Sequence, residues 1–192
     1  MLIGAATLAD GCIRPGSGPD VPPANRDLAG AEVELIELDQ REYRLKNALQ
    51  AGHATYDFIL IDCPPALNML TVNGLVAADS VLIPMQCEYY ALEGLSDLVE
   101  TLRKVRTHLN SRLEIEGLLR TMYNPQSTLT QQVSGELERH FGSKVYQTIV
   151  PRNVRLAEAP SYGKPVIAFD KSSKGAQAYS ALAKEILERV AP

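Results

Sequence analysis

Cysteine is scarce in this chain: Cys12, Cys63 and Cys87 are the only three in 192 residues. An odd, widely spaced set excludes a disulfide framework and a cysteine-based metal centre, and isolated thiols suit a reducing cytosol. His53, His108 and His140 lie as far apart and show no metal-ligand spacing, and no Ser-His-Asp or Cys-His arrangement is indicated. No apolar run approaches the roughly 18 residues of a membrane span. The opening MLIGAATLADGC puts no basic leader before its short apolar part, so no signal peptide is expected. Excess positive charge is also missing. The formal net charge is −4, so any nucleic-acid contact must rest on a local patch. Internal repeats and low-complexity tracts are absent and no boundary interrupts the chain, which points to one domain over residues 1–192.

What is present suits a globular core, with 45% hydrophobic residues. The Gly/Pro-rich stretch 13–25 reads as a loop with a degenerate strand, after a helix end within 1–10. Helical spacing follows at Leu28, Ala31, Leu35 and Leu38, and a second short helix at 41–50 stops at Gly52. Phe58–Ile61 is an all-apolar run, as in a strand covered on both faces. Helix 68–78, the apolar strand 80–85 and helix 90–109 come next, the last with a stripe at Leu95, Leu98, Val99, Leu102, Val105 and Leu109. Strand 115–123 leads to helix 127–142, capped by Ser127 or Thr128 and closed by Gly142. Strand 144–150 and helix 173–190 complete the alternation. This order predicts an α/β fold: a mostly parallel sheet with helices on both faces and right-handed crossovers.

The stretch FILIDCPPALN runs four apolar residues into Asp62, then Cys63 and two prolines. Ligands of open parallel sheets bind outside the carboxyl ends of the strands, which is where this acid falls. A carboxylate there suits Mg²⁺, which prefers oxygen ligands and keeps several waters. Equally, many apolar strands of this fold class simply end in an acid. The partner such an acid needs, Gly-x-x-x-x-Gly-Lys-Ser/Thr, is absent: Gly163-Lys164 is the only Gly-Lys pair and Pro165 follows it. Cys63 reads as a small buried filler.

Three long segments, PPANRDLAGAEVEL, YDFILIDCPPALNMLTVNGLVAADSVLIPMQCEYYALEGLSDL and IVPRNVRLAEAPSYGKPVIAFDKSSKGAQAYSALAKEIL, resemble the ParA/Soj family of chromosome and plasmid partitioning ATPases over nearly the whole chain. The resemblance implies a P-loop NTPase-like fold that binds ATP and Mg²⁺, dimerises around nucleotide and coats DNA without sequence preference. It also implies hydrolysis stimulated by a ParB-type centromere-binding protein, a cytoplasmic, nucleoid-associated location and no membrane. Carried over, Asp62 matches the Walker B acid, with a catalytic and metal role, and Pro64 and Pro65 border the γ-phosphate-sensing loop. Pro151, Arg152 and Asn153 match the segment beside the adenine, although Arg152 and Asn153 also suit a loop tie or cap. Glu88, Tyr89 and Tyr90 fall near the family's dimer interface, or simply start a helix with aromatic packing.

Arg155 matches a basic position used against DNA. It lies in a stretch from Lys144 to Lys174 with six positive and two negative side chains, which makes Lys144 and Lys174 further DNA candidates. Relatives often carry an arginine after the strand at 115–123, where this chain has Asn124-Pro125-Gln126. Family members begin with a strand leading into KGGVGKTT and a second ending in a DxDPQGN-like motif, neither of which occurs here. The chain is therefore expected to be incomplete at its N-terminus, as a fragment, a late start or a decayed paralogue, and inactive as an ATPase on its own. A non-enzymatic paralogue that binds ParA or ParB is one alternative. A MinD-like membrane-surface ATPase is another, disfavoured because the chain stops at ILERVAP without a basic amphipathic extension.

Overall fold

A computed structural model describes residues 2–4, 7–13, 18–24, 28–50, 56–64 and 66–190, with backbone alone at 9 and 29. The expected helix stop at Gly52, His53 and Pro65 lie outside the described residues. The chain divides into two compact units, 1–80 with 101–114 and 81–100 with 115–192.

The first unit is mainly helical. Helix α1 (Leu8–Gly11) is a single turn held by a capping box between Thr7 and Asp10. The degenerate strand expected in 13–25 is one antiparallel bridge, Ile13 to Val21. Helix α2 (Leu28–Ile36) buries Leu35 completely. A 3₁₀ turn at Arg41–Tyr43 runs into α3 (Arg44–Gln50), and α4 spans Met69–Ala77. Helix α4 starts where Asn68 Oδ1 accepts the Thr71 N–H, while Glu32 of α2 accepts the Met69 N–H at 3.2 Å. Fully buried Asn73 ties α4 to α3: its amide donates to the Arg41 and Met69 carbonyls and its Oδ1 accepts the Leu45 N–H. Asn110 does similar work, donating to the carbonyls of Leu75, Val76 and Ala78.

The second unit carries the sheet. Strand β1 (Ser80–Gln86) leads into α5 (Ala91–His108), whose residues from 101 onward belong to the first unit, and the chain then enters β2 (Glu114–Tyr123); α6 (Thr128–Phe141) crosses to β3 (Val145–Pro151). The order is β1-β2-β3, and β2 and β3 pair in parallel. The expected stripe of α5 is borne out by burial of Leu95, Leu102 and Val105. Ser127 caps α6 by accepting the Thr130 N–H and Gly142 ends it at φ 51°, both as expected. Two short helices, α7 (Val154–Glu158) and α8 (Val166–Phe169), precede α9 (Lys174–Val190).

Adjacent residues of β2 point to opposite faces. Leu119 joins Tyr146, Val150 and Leu182 in a core against α9. Arg120 points to α6, where its guanidinium donates to Ser134 and Glu138 and also to the Tyr146 carbonyl. Helices thus cover both faces of a parallel sheet, as the alternation predicts.

Among the described residues β3 is an edge strand, and edges with free N–H groups invite pairing with other chains. Glu185 of α9 covers this one by accepting the Gln147 and Thr148 N–H groups, both at 2.8 Å. Arg189 holds that carboxylate at 2.9 Å and stacks 3.9 Å over the Tyr146 ring. Burial pushes the Glu185 carboxyl up, but the Thr148, Gln147 and Arg189 hydrogen bonds outweigh it and hold the group below its ordinary value of 4.5. A depressed folded value adds stability that is present above the unfolded value and is lost as pH falls through the folded one. Glu185→Gln should therefore lose about 1–2 kcal/mol at pH 7. It should also flatten the acid limb below about pH 4.5, read by urea unfolding across pH.

The expected strand at Phe58–Ile61 fails. Phe58–Ile61 is not a strand but irregular, unpaired chain, with Phe58, Ile59 and Leu60 exposed. Apolar sequence supplies only half of what a strand needs; the other half is a neighbour to take its N–H and C=O groups. Among the described residues the sheet offers this segment none.

Candidate functional site

The ends of the three strands form a concave surface on the second unit. Their carboxyl termini at Met85–Cys87, Met122–Asn124 and Pro151–Asn153 line an open crevice of about 1280 Å³, continued by the starts of α5, α6 and α9. A parallel sheet presents its loops at this edge, and the fold binds ligands there. The mouth carries Tyr89 and Tyr90, both exposed and packed edge to face at 5.0 Å. Arg152 and Lys174 are the positive lining residues and Glu88 the negative one. Cys87 lines the crevice as a buried thiol. Burial pushes its pKa up against the opposing pull of Arg120, so it stays protonated at neutral pH.

Met122 takes φ 50°, a left-handed conformation that costs a side chain about 1–2 kcal/mol. The β2–β3 register shifts between Arg120 and Tyr123, so the strand end is bulged. Nothing in the sequence marks this, because methionine is not a turn residue.

Of the sequence-predicted residues, Pro151, Arg152, Asn153 and Lys174 come together on this crevice. Asn153 also caps α7, its Oδ1 accepting the Arg155 N–H at 3.0 Å. Arg155 lies one helical turn from Glu158 and pairs with it at 2.7 Å, and with Asp170 at 3.3 Å. Lys144 closes the 3₁₀ turn before β3, at the opposite end of that strand from Pro151. The six positive side chains from Lys144 to Lys174 are therefore not one patch.

Asp62 belongs to the first unit. It sits exposed on irregular chain after the apolar run. The segment lies against α4: a Cβ at Gly74 would fall 2.8 Å from Cys63 Sγ and 3.5 Å from Ile61 Cγ2, so glycine is what allows the approach. Cys63 is exposed and not a buried filler, yet its thiol is pushed up by partial burial and by the Asp62 charge, which keeps thiolate scarce. Among the described residues no three His, Cys, Asp or Glu side chains form a metal-holding group. One free carboxylate still fits Mg²⁺, which binds proteins through as few as one or two carboxylates plus water and phosphate.

Comparison with known proteins decides the family. The chain is 49% identical over 192 residues to the chromosome partitioning protein ParA of Caulobacter vibrioides, spanning 98% of this chain and 72% of that one. It belongs to the ParA/Soj family. The sporulation initiation inhibitor protein Soj of Bacillus subtilis is 57% identical over 167 residues, 87% of this chain and 66% of its own. A family model described as an AAA domain matches residues 2–115. Among solved structures, a cobyrinic acid a,c-diamide synthase of Mycobacterium smegmatis with bound ATP analog and magnesium superimposes with a TM-score of 0.79. Its identity is 34%, over 95% of this ParA/Soj-family chain and 68% of the synthase. The cell division ATPase MinD of Pyrococcus furiosus, with TM-score 0.76, 23% identity and coverage of 99% and 74%, shows the shared fold alone. No helix among the described residues is long and apolar enough to cross a membrane.

Proposed function

We propose that this chain serves chromosome partitioning as an ATP-dependent switch, and that the crevice at the carboxyl edge of β1–β3 receives the base of ATP. The observation that carries this reading is a crevice at the carboxyl edge of the sheet in which Pro151–Asn153 line one side and Tyr89, Tyr90 and Asn124 other parts of the wall. Membership of a family that includes chromosome-partitioning ATPases supports it, as does a 34% identical neighbour that holds an ATP analog and magnesium. The apolar and aromatic lining gives a flat base its van der Waals contact, and Arg152 offers a stacking guanidinium and donors. Asp62 has the roles of catalytic acid and magnesium ligand. Bound Mg²⁺ supplies charge neutralisation at the phosphates. No Gly-Lys-Ser/Thr loop occurs within these 192 residues, so the roles assigned to them are base contact, metal contact and the Asp62 carboxylate, without a phosphate-gripping lysine.

In the same reading, nucleotide drives dimerisation and binding to DNA without sequence preference. Arg155, Lys144 and Lys174 supply phosphate contacts, and a ParB-type protein stimulates hydrolysis. The protein then acts on the nucleoid.

Equilibrium titration with a fluorescent ATP and Mg²⁺ tests the site. Arg152→Ala should weaken binding about tenfold, as expected for loss of one charged contact, without moving the thermal midpoint, because Arg152 is exposed. Lys144→Ala, at the far end of β3, should leave binding unchanged. Undetectable nucleotide binding, or equal losses from both substitutions, would overturn the assignment.

A further inference from the structure

Of the three residues assigned to DNA, Arg155 already faces two carboxylates of its own chain. Arg155 sits exposed near the start of α7 with its guanidinium hydrogen-bonded to one carboxylate and within ion-pair distance of a second. Nη1 donates to Glu158 Oε2 at 2.7 Å, and Nε faces Asp170 Oδ2 at 3.3 Å. Arginine grips a phosphate with two parallel N–H donors, using either the Nε–Nη2 edge or the Nη1–Nη2 edge. With one nitrogen of each edge held by a carboxylate, neither fork is complete. A phosphate that takes either fork with two donors must displace Glu158 or Asp170, and any phosphate must approach two negative charges to reach Arg155.

The two carboxylates are themselves fixed. Glu158 closes α7 three residues after Arg155, the spacing that places the two side chains side by side. Asp170 is held from its other oxygen: Oδ1 accepts the Ser172 hydroxyl at 2.7 Å and the Ser172 N–H at 3.1 Å, which leaves Oδ2 turned to Arg155. By contrast, Arg152 and Lys174 make no ion pair among the described residues. Of the three proposed DNA contacts, Arg155 is thus the one with an ion pair among the described residues.

We propose that Glu158 and Asp170 form an intramolecular clamp that competes with nucleic-acid phosphate for Arg155 and so sets the DNA affinity of this surface. The clamp rests on the reading that Arg155 contacts DNA, and it goes beyond that reading in making affinity a competition inside the protein. The pairs are exposed, so each is weak and readily opened. Such a clamp lowers binding without abolishing it, which is the range in which a small shift of α7 or of the loop before α9 changes occupancy of DNA.

The experiment is DNA binding by the full 192-residue chain as a function of salt. The probe is a fluorescently labelled random-sequence duplex, and the protein is wild type, Glu158→Gln, Asp170→Asn and the double variant. Asparagine keeps the Oδ1 acceptor for Ser172, so the loop before α9 stays tied. The double variant should bind roughly three- to tenfold tighter, and the slope of log affinity against log salt should steepen by about one phosphate contact. Glu188→Gln, which removes a charge paired with Lys184 on α9, should change neither. In an Arg155→Ala background the gain from Glu158→Gln and Asp170→Asn should vanish. Equal affinities of wild type and double variant, with Arg155→Ala still weakening binding, would overturn the clamp and leave the DNA reading intact. So would a gain that persists without Arg155. Absence of binding by every form at low salt would overturn both.

Discussion

Gly117→Ala is expected to destabilise the protein by about 3 kcal/mol, at or beyond the upper end of ordinary overpacking. Gly117 lies in β2 beside the start of β3. A Cβ there would fall 2.5 Å from the Tyr146 ring and 2.7 Å from the Lys144 carbonyl oxygen. Neither neighbour can yield cheaply. Tyr146 is fully buried at the centre of the core between the sheet and α9, and its phenol reaches Glu116. Burial, reinforced by the Glu116 charge, pushes that phenol up to about 12. The carbonyl belongs to backbone entering a strand. The added methyl must therefore part β2 from β3 or expel the ring, and either route strips Leu119, Val150 and Leu182 of contacts. Urea unfolding measures the loss. A change below about 1 kcal/mol would mean that the β2–β3 junction is not as close as described.

Glu138→Ala should cost about 2–3 kcal/mol for a different reason. Arg120 is a charge inside the protein, 5% exposed, with Glu138 as its salt-bridge partner. Its Nη atoms reach Ser134, Glu138 and the Tyr146 carbonyl, but Nε is buried without a partner among the described residues. Removing the carboxylate leaves the guanidinium charge buried and uncompensated, which is where the large penalty of a broken ion pair comes from. The carboxylate is half exposed, which keeps the cost below that of a fully buried pair. Replacing both members, Arg120→Met with Glu138→Gln, should cost less than Glu138→Ala alone, since no stranded charge remains. If the double replacement proves the more damaging, the hydrogen bonds to Ser134 and Tyr146 matter more than the charge.

The sequence made the covered sheet and its long helices legible because their signals are local. Ser127 and Gly142 bracket α6 by side-chain and backbone chemistry that requires no partner element. The stripe of α5 declares its buried face by spacing alone. Phe58–Ile61 was illegible in the same terms: its composition is that of a strand, but pairing is a property of two segments. Helices α7 and α8 escaped because four or five residues show no period and Pro160 and Pro165 interrupt the stretch.

The site divides in the same way. That Pro151–Asn153 lie at a strand end follows from the alternation of elements, and their assignment to a base comes from family resemblance. Charge counting grouped Lys144 with Arg155, because sequence proximity cannot show that they flank opposite ends of β3. The ion pair of Arg155 with Glu158 follows from three-residue helical spacing, whereas Asp170 reaches the same arginine only through the turns between α7 and α9.

The central claim is that the carboxyl-edge crevice holds the base of ATP. Photolabelling with 2-azido-ATP and Mg²⁺, followed by peptide mapping, tests it most directly. Label is expected on the peptides carrying Tyr123–Ser127 or Pro151–Val154, suppressed by excess unlabelled ATP. Competable label confined to peptides away from the crevice, such as those of α2 or α3, would contradict it.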